Sequence, residues 1–181
     1  SGTTANFAEN GTGVAYDANA TDADNLGALT YALSGTDAAL FDINASTGEV
    51  TFKAAPNFEA PADSGGNNVY DLVVTASDGT LSTDRSVAIT VTNVNDNAPV
   101  FSSGTTANFA ENGTGVAYDA NATDADNLGA LTYALSGTDA ALFDINASTG
   151  EVTFKAAPNF EAPADADGNN VYDIVVTASD G

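Results

Sequence analysis

The chain has 181 residues, with 25 acidic and three basic side chains, a formal net charge of −22 at pH 7, and neither His nor Cys. So acidic a chain excludes nucleic acid as a partner, because a phosphate backbone is bound by a basic surface. Without His or Cys the usual general bases and nucleophiles are missing, so we predict no enzyme and disfavour the remaining class, a carboxylate-only hydrolase. No apolar run is long enough to span a bilayer, so we expect no membrane insertion.

An internal repeat organises the whole chain. Residues 1–79 align without a gap with residues 103–181, a period of 103 − 1 = 102, and only three pairs differ: Ser64/Ala166, Gly65/Asp167 and Leu72/Ile174. A period of this length is typical of independent β-domains in tandem rather than of a solenoid. We predict repeat 1 at 1–93, a linker at 94–99 and repeat 2 at 100–181, as part of a longer array.

The predicted elements of repeat 1 are strands with a hydrophobic residue at every second position. In chain order they begin with a strand at Thr4–Ala8, a strand through Val14, Tyr16 and Ala18, and a strand through Leu29, Tyr31 and Leu33. A helical turn at 36–41, capped by Thr36 or Asp37, comes next. The remaining strands pass through Val50 and Phe52, through Tyr70, Leu72, Val74 and Ala76, and through Val87, Ile89 and Val91. With these six segments the count is about seven strands in about 100 residues, which indicates an all-β, Ig-like sandwich.

The aromatic side chains and the end of repeat 2 lead to two further expectations. We predict that Phe7, Tyr31, Phe41, Phe52 and Tyr70 form the core rather than a ligand platform. Repeat 2 stops at Gly181, the counterpart of Gly79, so in this chain it lacks its last strand. We expect that strand to lie beside the strand at 172–178, and its loss to leave unpaired backbone that favours strand exchange or self-association.

Acidic and Asn side chains interrupt the strand pattern at strand ends and in connections. In repeat 1 they are Glu9, Asp22, Asp24, Glu59, Asp78, Asn95, Asp96 and Asn97. Two carboxylates at i and i+2, as in the DAD of residues 22–24, can share one cation. Oxygen ligands in loops, without His or Cys, suit Ca²⁺ rather than zinc. A solvated acidic surface that keeps the protein soluble is the alternative at this point.

The order of short motifs resembles that of a cadherin repeat over the whole 102-residue unit. The motifs are AEN (8–10), ATDAD (20–24), LTYAL (29–33), FDI (41–43), TGEV (47–50), FE (58–59), YDLVVTASDG (70–79) and VNDNAPVF (94–101). The resemblance implies a seven-stranded Greek-key sandwich. It also implies that calcium binds between successive domains rather than inside one.

The resemblance assigns a metal-binding role to particular residues, with two or three Ca²⁺ ions at the joint between the repeats. The implied ligands are Glu9 and Glu59 at the base of repeat 1, Asn95 and Asp96 with the carbonyls of Val94 and Asn97 in the linker, and Asp124, Asp126, Asp180 and a carbonyl from 127–129 at the top of repeat 2. One of the implied sites combines Asn95, Asn97, Asp124, Asp126 and Asp180. Asn57 and Asn93 stand where the family usually has Asp, which removes one charge at each position and predicts weaker binding at the other sites.

Three further sets of acidic residues are compared with this pattern. Asp22, Asp24 and Asp78 lack a preceding domain in this chain, and Glu111 and Glu161 lack a following linker, so we expect half-sites that are empty or hold ions weakly. The segment DADGN (165–169) resembles a short calcium loop, but repeat 1 has DSGGN there. We therefore predict a polar turn at 165–169.

The resulting functional prediction is a non-catalytic extender of an extracellular stalk whose joints are rigidified by calcium. Near-identical tandem repeats, high acidity and absent Cys are similar to giant bacterial surface adhesins of the RTX type that support cell adhesion and biofilm, although the glycine-rich RTX nonapeptide is absent. The alternative is a recognition module for homophilic cell–cell adhesion or polysaccharide. The absence of Trp counts against the strand swapping of animal cadherins.

Overall fold

The computed structural model describes all residues except Asn25 and Leu26, which directly follow the ATDAD motif. The chain divides into two compact units, Ser1–Val94 and Asn95–Gly181. Among the described residues, no helix has the length and apolar character that a membrane crossing requires.

The described residues of unit 1 form seven strands in two sheets. They are β1 (Thr4–Ala8), β2 (Val14–Asp17), β3 (Thr30–Ser34), β4 (Phe41–Ile43), β5 (Glu49–Phe52), β6 (Val69–Ser77) and β7 (Ser82–Thr92), with a 3₁₀ turn at Ala38–Leu40 before β4. The sheet orders are β1-β7-β6-β3 and β2-β5-β4. The chain crosses between the sheets after β1, β2, β3 and β5, which is the connectivity of a Greek-key sandwich. The predicted all-β sandwich is confirmed.

The core of unit 1 is built by the inward faces of both sheets. Its buried members are Ala15, Tyr16, Ala18, Phe41, Val50, Tyr70, Leu72, Val74, Val87, Ile89 and Val91, with Phe7, Tyr31 and Phe52 packed against them. Phe52 lies between Phe41 (ring centroids 4.2 Å) and Tyr70 (5.1 Å, edge-on). Burial of each large apolar side chain contributes about 1.5–3 kcal/mol. The prediction that the five aromatics are core residues is confirmed.

Strand β7 lies inside its sheet, as predicted for the last strand. It pairs with β6 in antiparallel fashion over nine residues, from Val69↔Thr90 to Ser77↔Ser82, and with β1 in parallel fashion from Thr4↔Ala88 to Ala8↔Thr92. Over Ala88–Thr90 β7 is therefore paired with a strand on both sides. Because β7 also carries Val87, Ile89 and Val91, it closes one side of the core.

The predicted alternation of Val14, Tyr16 and Ala18 is wrong at its first residue. A β-bulge shifts the register between Val14 and Tyr16, which pair with Thr51 and Val50 respectively. Val14 is consequently 46% exposed, while the neighbouring Ala15 and Tyr16 are both buried. An extra residue in one strand breaks period-two spacing, so the pattern alone could not show it.

The prediction that the Asp37 side chain caps the helical turn is also wrong. Asp37 precedes the turn but makes no side-chain cap hydrogen bond. Its carboxylate is 4% exposed and accepts hydrogen bonds from the N–H groups of Ser64 (2.7 Å) and Asp71 (2.8 Å). Asp37 therefore ties the 61–68 loop to the start of β6 instead of capping the turn.

Unit 2 contains seven shorter strands and repeats the smaller sheet of unit 1. The strands are β8 (Val100–Phe101), β9 (Val116–Asp119), β10 (Ala122–Thr123), β11 (Thr132–Ser136), β12 (Phe143–Ile145), β13 (Glu151–Phe154) and β14 (Val175–Ser179). The order β12-β13-β9 matches β4-β5-β2. The other pairs are β11-β14 and β10-β8, and a 3₁₀ turn at Ala140–Leu142 precedes β12.

The loss of the last strand in unit 2 extends further than predicted. Residues 106–110, the counterparts of β1, form no strand, and residues 171–174, the counterparts of the first half of β6, form none either. In unit 1 both of these segments pair with β7. Without a strand equivalent to β7 these two segments lack the β-ladder partner that their counterparts have in unit 1, and neither forms a strand.

Candidate metal centre

Glu9 directly follows β1 and binds the chain where it leaves β7. The side chain is only 3% exposed. Its Oε2 accepts a hydrogen bond from the Phe58 N–H (2.8 Å), and its Oε1 accepts one from the Val94 N–H (2.7 Å). The Glu9 N–H in turn donates to the Thr92 carbonyl (3.1 Å). Glu9 thus fixes the position of Val94, the last residue of unit 1.

A second carboxylate, Glu59, approaches Glu9 at this end of unit 1. One carboxylate oxygen of each residue lies within 4.8 Å of the other, and both oxygens of Glu59 are buried. Two negative charges at that distance repel by about 1 kcal/mol in water and about 3 kcal/mol at an effective dielectric constant of 20. A cation between them would remove this repulsion.

The cationic side chains of the protein are engaged elsewhere. Lys53 lies 3.9 Å from the Asp42 carboxylate and donates to the Ala39 carbonyl, and Lys155 makes the equivalent contacts with Asp144 and Ala141. Arg85 donates to the Ser1 carbonyl. None of these three cationic side chains is therefore positioned to neutralise Glu9 and Glu59.

The two Asn residues that depart from the family pattern have different surroundings. Asn57 is exposed, and its Oδ1 accepts a hydrogen bond from the Ala60 N–H (3.0 Å). Asn93 is half-buried and its Oδ1 atom is buried. Asn57 thus already acts as a turn residue, whereas a charge introduced at Asn93 would lie in a less hydrated position.

Asp126 anchors the first residues of unit 2. Its Oδ2 accepts hydrogen bonds from the N–H groups of Asp96 (2.9 Å) and Asn97 (2.7 Å), and its Oδ1 accepts one from the Asn97 side-chain amide (2.7 Å). The residue is 3% exposed. Asp126 therefore holds the Asn-rich segment with three hydrogen bonds that the sequence did not indicate.

Asp124 meets the requirement of a cation ligand. Its Oδ1 accepts hydrogen bonds from the N–H groups of Asp126 (2.9 Å) and Asn127 (3.2 Å), which form an Asx turn. Its Oδ2 is buried and has no hydrogen-bond partner among the described residues. A buried carboxylate oxygen without a donor is costly unless a cation binds it, so Asp124 fits a hard metal ion.

Asp180 lies at the same end of unit 2 as this loop. It directly follows β14, whose last residue Ser179 pairs with Thr132 at the start of β11. A Cβ placed on Gly129 would lie 3.6 Å from the Asp180 carbonyl oxygen. The structure therefore places Asp180 beside the 127–129 turn that follows Asp124 and Asp126.

The contacts described so far involve only some of the predicted ligands in the linker. The Asn97 amide donates to Asp96 Oδ1 as well as to Asp126, both at 2.7 Å, whereas Asn95 and Asp96 are exposed. The metal-binding roles of Asn95, Asp96 and the carbonyls of Val94 and Asn97 remain predictions.

Three of the five predicted half-site residues are more exposed than their counterparts in the other repeat. Asp24 is exposed, and Asp22 accepts a hydrogen bond from the Asp24 N–H (3.2 Å) while its Oδ2 is buried without a partner among the described residues. Glu111 is exposed and accepts a hydrogen bond from the Phe160 N–H (3.1 Å), and Glu161 is exposed too.

The carboxyl of Asp78 is used by its own turn. The N–H groups of Leu81 and Thr80 both donate to its Oδ1 at 2.7 Å, and they hold the pKa of this carboxyl below its ordinary value. Asp180 is the counterpart of Asp78 in repeat 2. The counterparts of Thr80 and Leu81 are not part of the 181 residues.

The 165–169 segment forms a turn held by a carboxylate. Asp165 accepts the N–H groups of Asn169 (2.7 Å) and Asn170 (3.3 Å), as Asp63 does with Asn67 and Asn68 in unit 1. Burial raises the pKa of Asp165, but hydrogen bonds from Asn169 and Asp167 outweigh it and leave the pKa lowered. The bond to Asp165 raises the pKa of Asp167. The shared geometry of both repeats supports the predicted polar turn.

Comparisons with known proteins agree with this architecture. No family model matches the chain. Human protocadherin Fat 4 is 33% identical over 150 residues, 77% of this chain and 3% of Fat 4. Human cadherin-23 is 33% identical over 178 residues, 94% of this chain and 5% of that protein. The chain thus spans a small part of these relatives. The crystal structure of Drosophila N-cadherin EC1-4 superposes with a TM-score of 0.73 at 28% identity, covering 97% of this chain and 43% of that one. The two units of this chain are cadherin-like domains.

Proposed function

We propose that these repeats are non-catalytic extenders whose joints are rigidified by calcium bound between consecutive units. The observation that carries the proposal is the concentration of buried carboxylates where the chain passes from unit 1 to unit 2. Glu9 holds Val94, and Asp126 holds Asp96 and Asn97. Glu9 of unit 1 therefore anchors Val94, and Asp126 of unit 2 anchors the Asp96 and Asn97 that follow it.

The charge at these anchors supports a cation. Glu9 and Glu59 are close together, and Asp124 has a buried oxygen without a donor among the described residues. We assign Glu9, Glu59 and Asp96 to one set of ligands, with the Val94 carbonyl, and Asn95, Asn97, Asp124, Asp126 and Asp180 to the other. Each ionised carboxylate has about four lone-pair directions, so Asp126 and Glu9 retain acceptor capacity beyond their backbone hydrogen bonds. Calcium, when bound, supplies the positive charge that these groups lack.

The stiffening follows from this electrostatic balance. Without calcium the carboxylates of neighbouring units repel one another, and the linker is free to hinge. With calcium they share an ion, and we infer two or three ions at each joint. The partners of each repeat are then its neighbours in the same polypeptide.

The expected affinity places this function outside the cell. Extracellular modules of this kind bind calcium with a Kd of about 10⁻⁴–10⁻³ M, so such sites fill after export. Near-identical repeats, a net charge of −22 and absent Cys support a long stalk on a bacterial surface, of the RTX adhesin type, acting in adhesion and biofilm.

Calcium titration tests the proposed site. Isothermal titration of the 181-residue chain should show saturable binding, and Glu9→Gln should weaken it about fivefold or more, since loss of one charge costs roughly 1 kcal/mol. The matched control is Glu111→Gln, the same position of the repeat without a following linker. If the two substitutions have equal effects, Glu9 is not a ligand at a shared site.

Small-angle scattering tests the stiffening. Profiles in calcium should give a longer and narrower distribution of molecular lengths than profiles in EDTA. Identical profiles, in samples that bind calcium by titration, would show that the ions do not rigidify the joint.

A further inference from the structure

Tyr133 connects the two segments of unit 2 that carry the acidic residues Asp124 and Asp180. Tyr133 lies in β11 and is only 9% exposed. Its backbone pairs with Ala178 of β14, two residues before Asp180. Its hydroxyl accepts a hydrogen bond from the N–H of Ala122 (3.2 Å), two residues before Asp124. One buried residue therefore contacts the chain just ahead of each carboxylate.

The segment that this hydroxyl holds is also the one to which the Asn-rich chain attaches. Ala122 belongs to β10, which pairs with β8 in antiparallel fashion, with Ala122 opposite Phe101. Strand β8 is the first strand after residues 95–97. The Ser102 N–H donates to the Asn121 carbonyl (2.8 Å) and extends the attachment by one residue. The hydroxyl that holds Ala122 therefore also supports the strand that follows the 95–97 segment.

Unit 1 has the same hydrogen bond, although its DAD loop is more exposed. The Tyr31 hydroxyl accepts the Ala20 N–H at 3.2 Å, and Tyr31 pairs with Ala76, two residues before Asp78. Asp24 is exposed there, whereas its counterpart in unit 2 is buried. The bond is therefore present whether or not the loop is buried, so it is a property of the repeat itself.

Packing alone does not account for a tyrosine at this position. The ring buries apolar surface, and a phenylalanine ring would bury nearly the same surface. The hydroxyl adds a polar group that has to find a partner when it is buried. The partner is a backbone N–H next to the loop of Asp124, whose Oδ2 is buried without a donor among the described residues. A metal ligand has to be held within about 0.5 Å of its productive position by the groups around it.

We propose that Tyr133 is a positioning residue of the calcium site in unit 2. Its hydroxyl fixes Ala122, and its backbone pairing fixes β14, so Asp124 and Asp180 are held in place relative to each other before an ion binds. Tyr133 is not itself a ligand. This inference rests on the proposed function, because it assigns a support to one of the two sets of calcium ligands.

Amide hydrogen exchange without calcium tests the support directly. Tyr133→Phe keeps the ring and removes the hydroxyl. In EDTA, the amides of residues 122–126 should exchange at least threefold faster than in the parent chain, the effect expected when one hydrogen bond is lost. Exchange in β12 and β13 should be unchanged. The matched control is Tyr31→Phe, which should accelerate exchange at 20–24 and leave 122–126 as in the parent. Unchanged exchange at 122–126 in Tyr133→Phe would overturn the proposal, whether or not the chain binds calcium.

Metal binding by the same variants tests the consequence for the site. In isothermal titration with calcium, the tightest step of Tyr133→Phe should be about threefold to tenfold weaker, and that of Tyr31→Phe should equal the parent's. Terbium bound to Tyr133→Phe should show additional coordinated water when luminescence lifetimes in H₂O and D₂O are compared, because a misplaced carboxylate is replaced by solvent. A loss of overall stability alone would not change this hydration.

The outcomes separate this inference from the proposed function. A parent chain that binds no calcium would overturn both. A parent chain that binds calcium and is weakened by Asp126→Ala, together with parent-like affinity and terbium hydration in Tyr133→Phe, would overturn only the role of Tyr133.

Discussion

Asp24 and Asp126 are the same residue of the repeat, in the same motif, yet one is exposed and the other is 3% exposed. The difference lies in what precedes each repeat in this chain. Asp126 accepts three hydrogen bonds from Asp96 and Asn97, which lead into repeat 2. The comparison teaches that the DAD loop becomes a structured site through its linker, not through its own sequence.

The opposite comparison holds for the large sheet. Here unit 1 is complete, and unit 2 loses strand structure at 106–110 and 171–174 because β7 has no counterpart. Leu72→Ala should cost about 2–5 kcal/mol of unfolding free energy in unit 1, where the side chain is buried. Ile174→Ala in unit 2 should cost less than half as much, since that side chain is half-exposed.

Denaturation followed by NMR signals of each unit measures both values. The comparison between the two sheets fails if Ile174→Ala destabilises unit 2 as strongly as Leu72→Ala destabilises unit 1.

The second prediction concerns calcium at the DAD loops. Asp126→Ala should reduce calcium affinity about tenfold or more, because it removes a ligand charge and releases the Asn-rich segment. Asp24→Ala, the identical substitution in the identical motif, should leave the tightest binding step nearly unchanged. Isothermal titration of both variants checks this, and comparable losses in both would contradict the role assigned to the linker.

How much could be predicted from the sequence differs between the fold and the site. Period-two spacing located the strands, because each strand buries one face. It failed at Val14, where a bulge adds a residue, and it could not show that residues 106–110 depend on β7, because that dependence is a backbone pairing between distant segments. Asp37 was missed for a related reason, since its partners Ser64 and Asp71 are far away in sequence.

The site was predicted largely from resemblance. Nothing in the spacing of Glu9 and Glu59 brings them together, because they are separated by 50 positions and meet only through the sandwich. Sequence reasoning assigned Glu9 and Asp126 to metal alone, and it missed that both also bind backbone N–H groups of 94–97.

The third prediction sharpens the contrast between the two Asn departures. Asn93→Asp should tighten calcium binding about fivefold, since one added charge at a few ångströms is worth roughly 1 kcal/mol, and Asn93 is half-buried. Asn57→Asp should have a smaller effect, because Asn57 is exposed and its Oδ1 is already bonded to the Ala60 N–H. A binding curve that Asn93→Asp leaves unchanged would show that this side chain does not face the metal.

The smallest expected effect concerns pH and the turn after β6. The pKa of Asp78 is lowered in the folded state by the N–H groups of Leu81 and Thr80. A lowered folded-state pKa means that the carboxylate contributes stability above its ordinary value of 3.8 and loses that contribution as pH falls through the folded-state pKa. The stability difference between the parent and Asp78→Asn should therefore shrink below pH 4. An NMR titration that places the Asp78 pKa above 3.8 would contradict this prediction.

The most direct test of calcium-dependent rigidity is the distance between one label in each unit. The chain has no Cys, so Ser46→Cys and Ser148→Cys introduce two spin labels at equivalent, exposed positions of the repeats. Pulsed electron–electron double resonance should give a broad distance distribution in EDTA and a single narrow one in millimolar calcium. The variant Asp126→Ala should give the broad distribution even in calcium. Distributions of equal width in EDTA and in calcium would contradict the account.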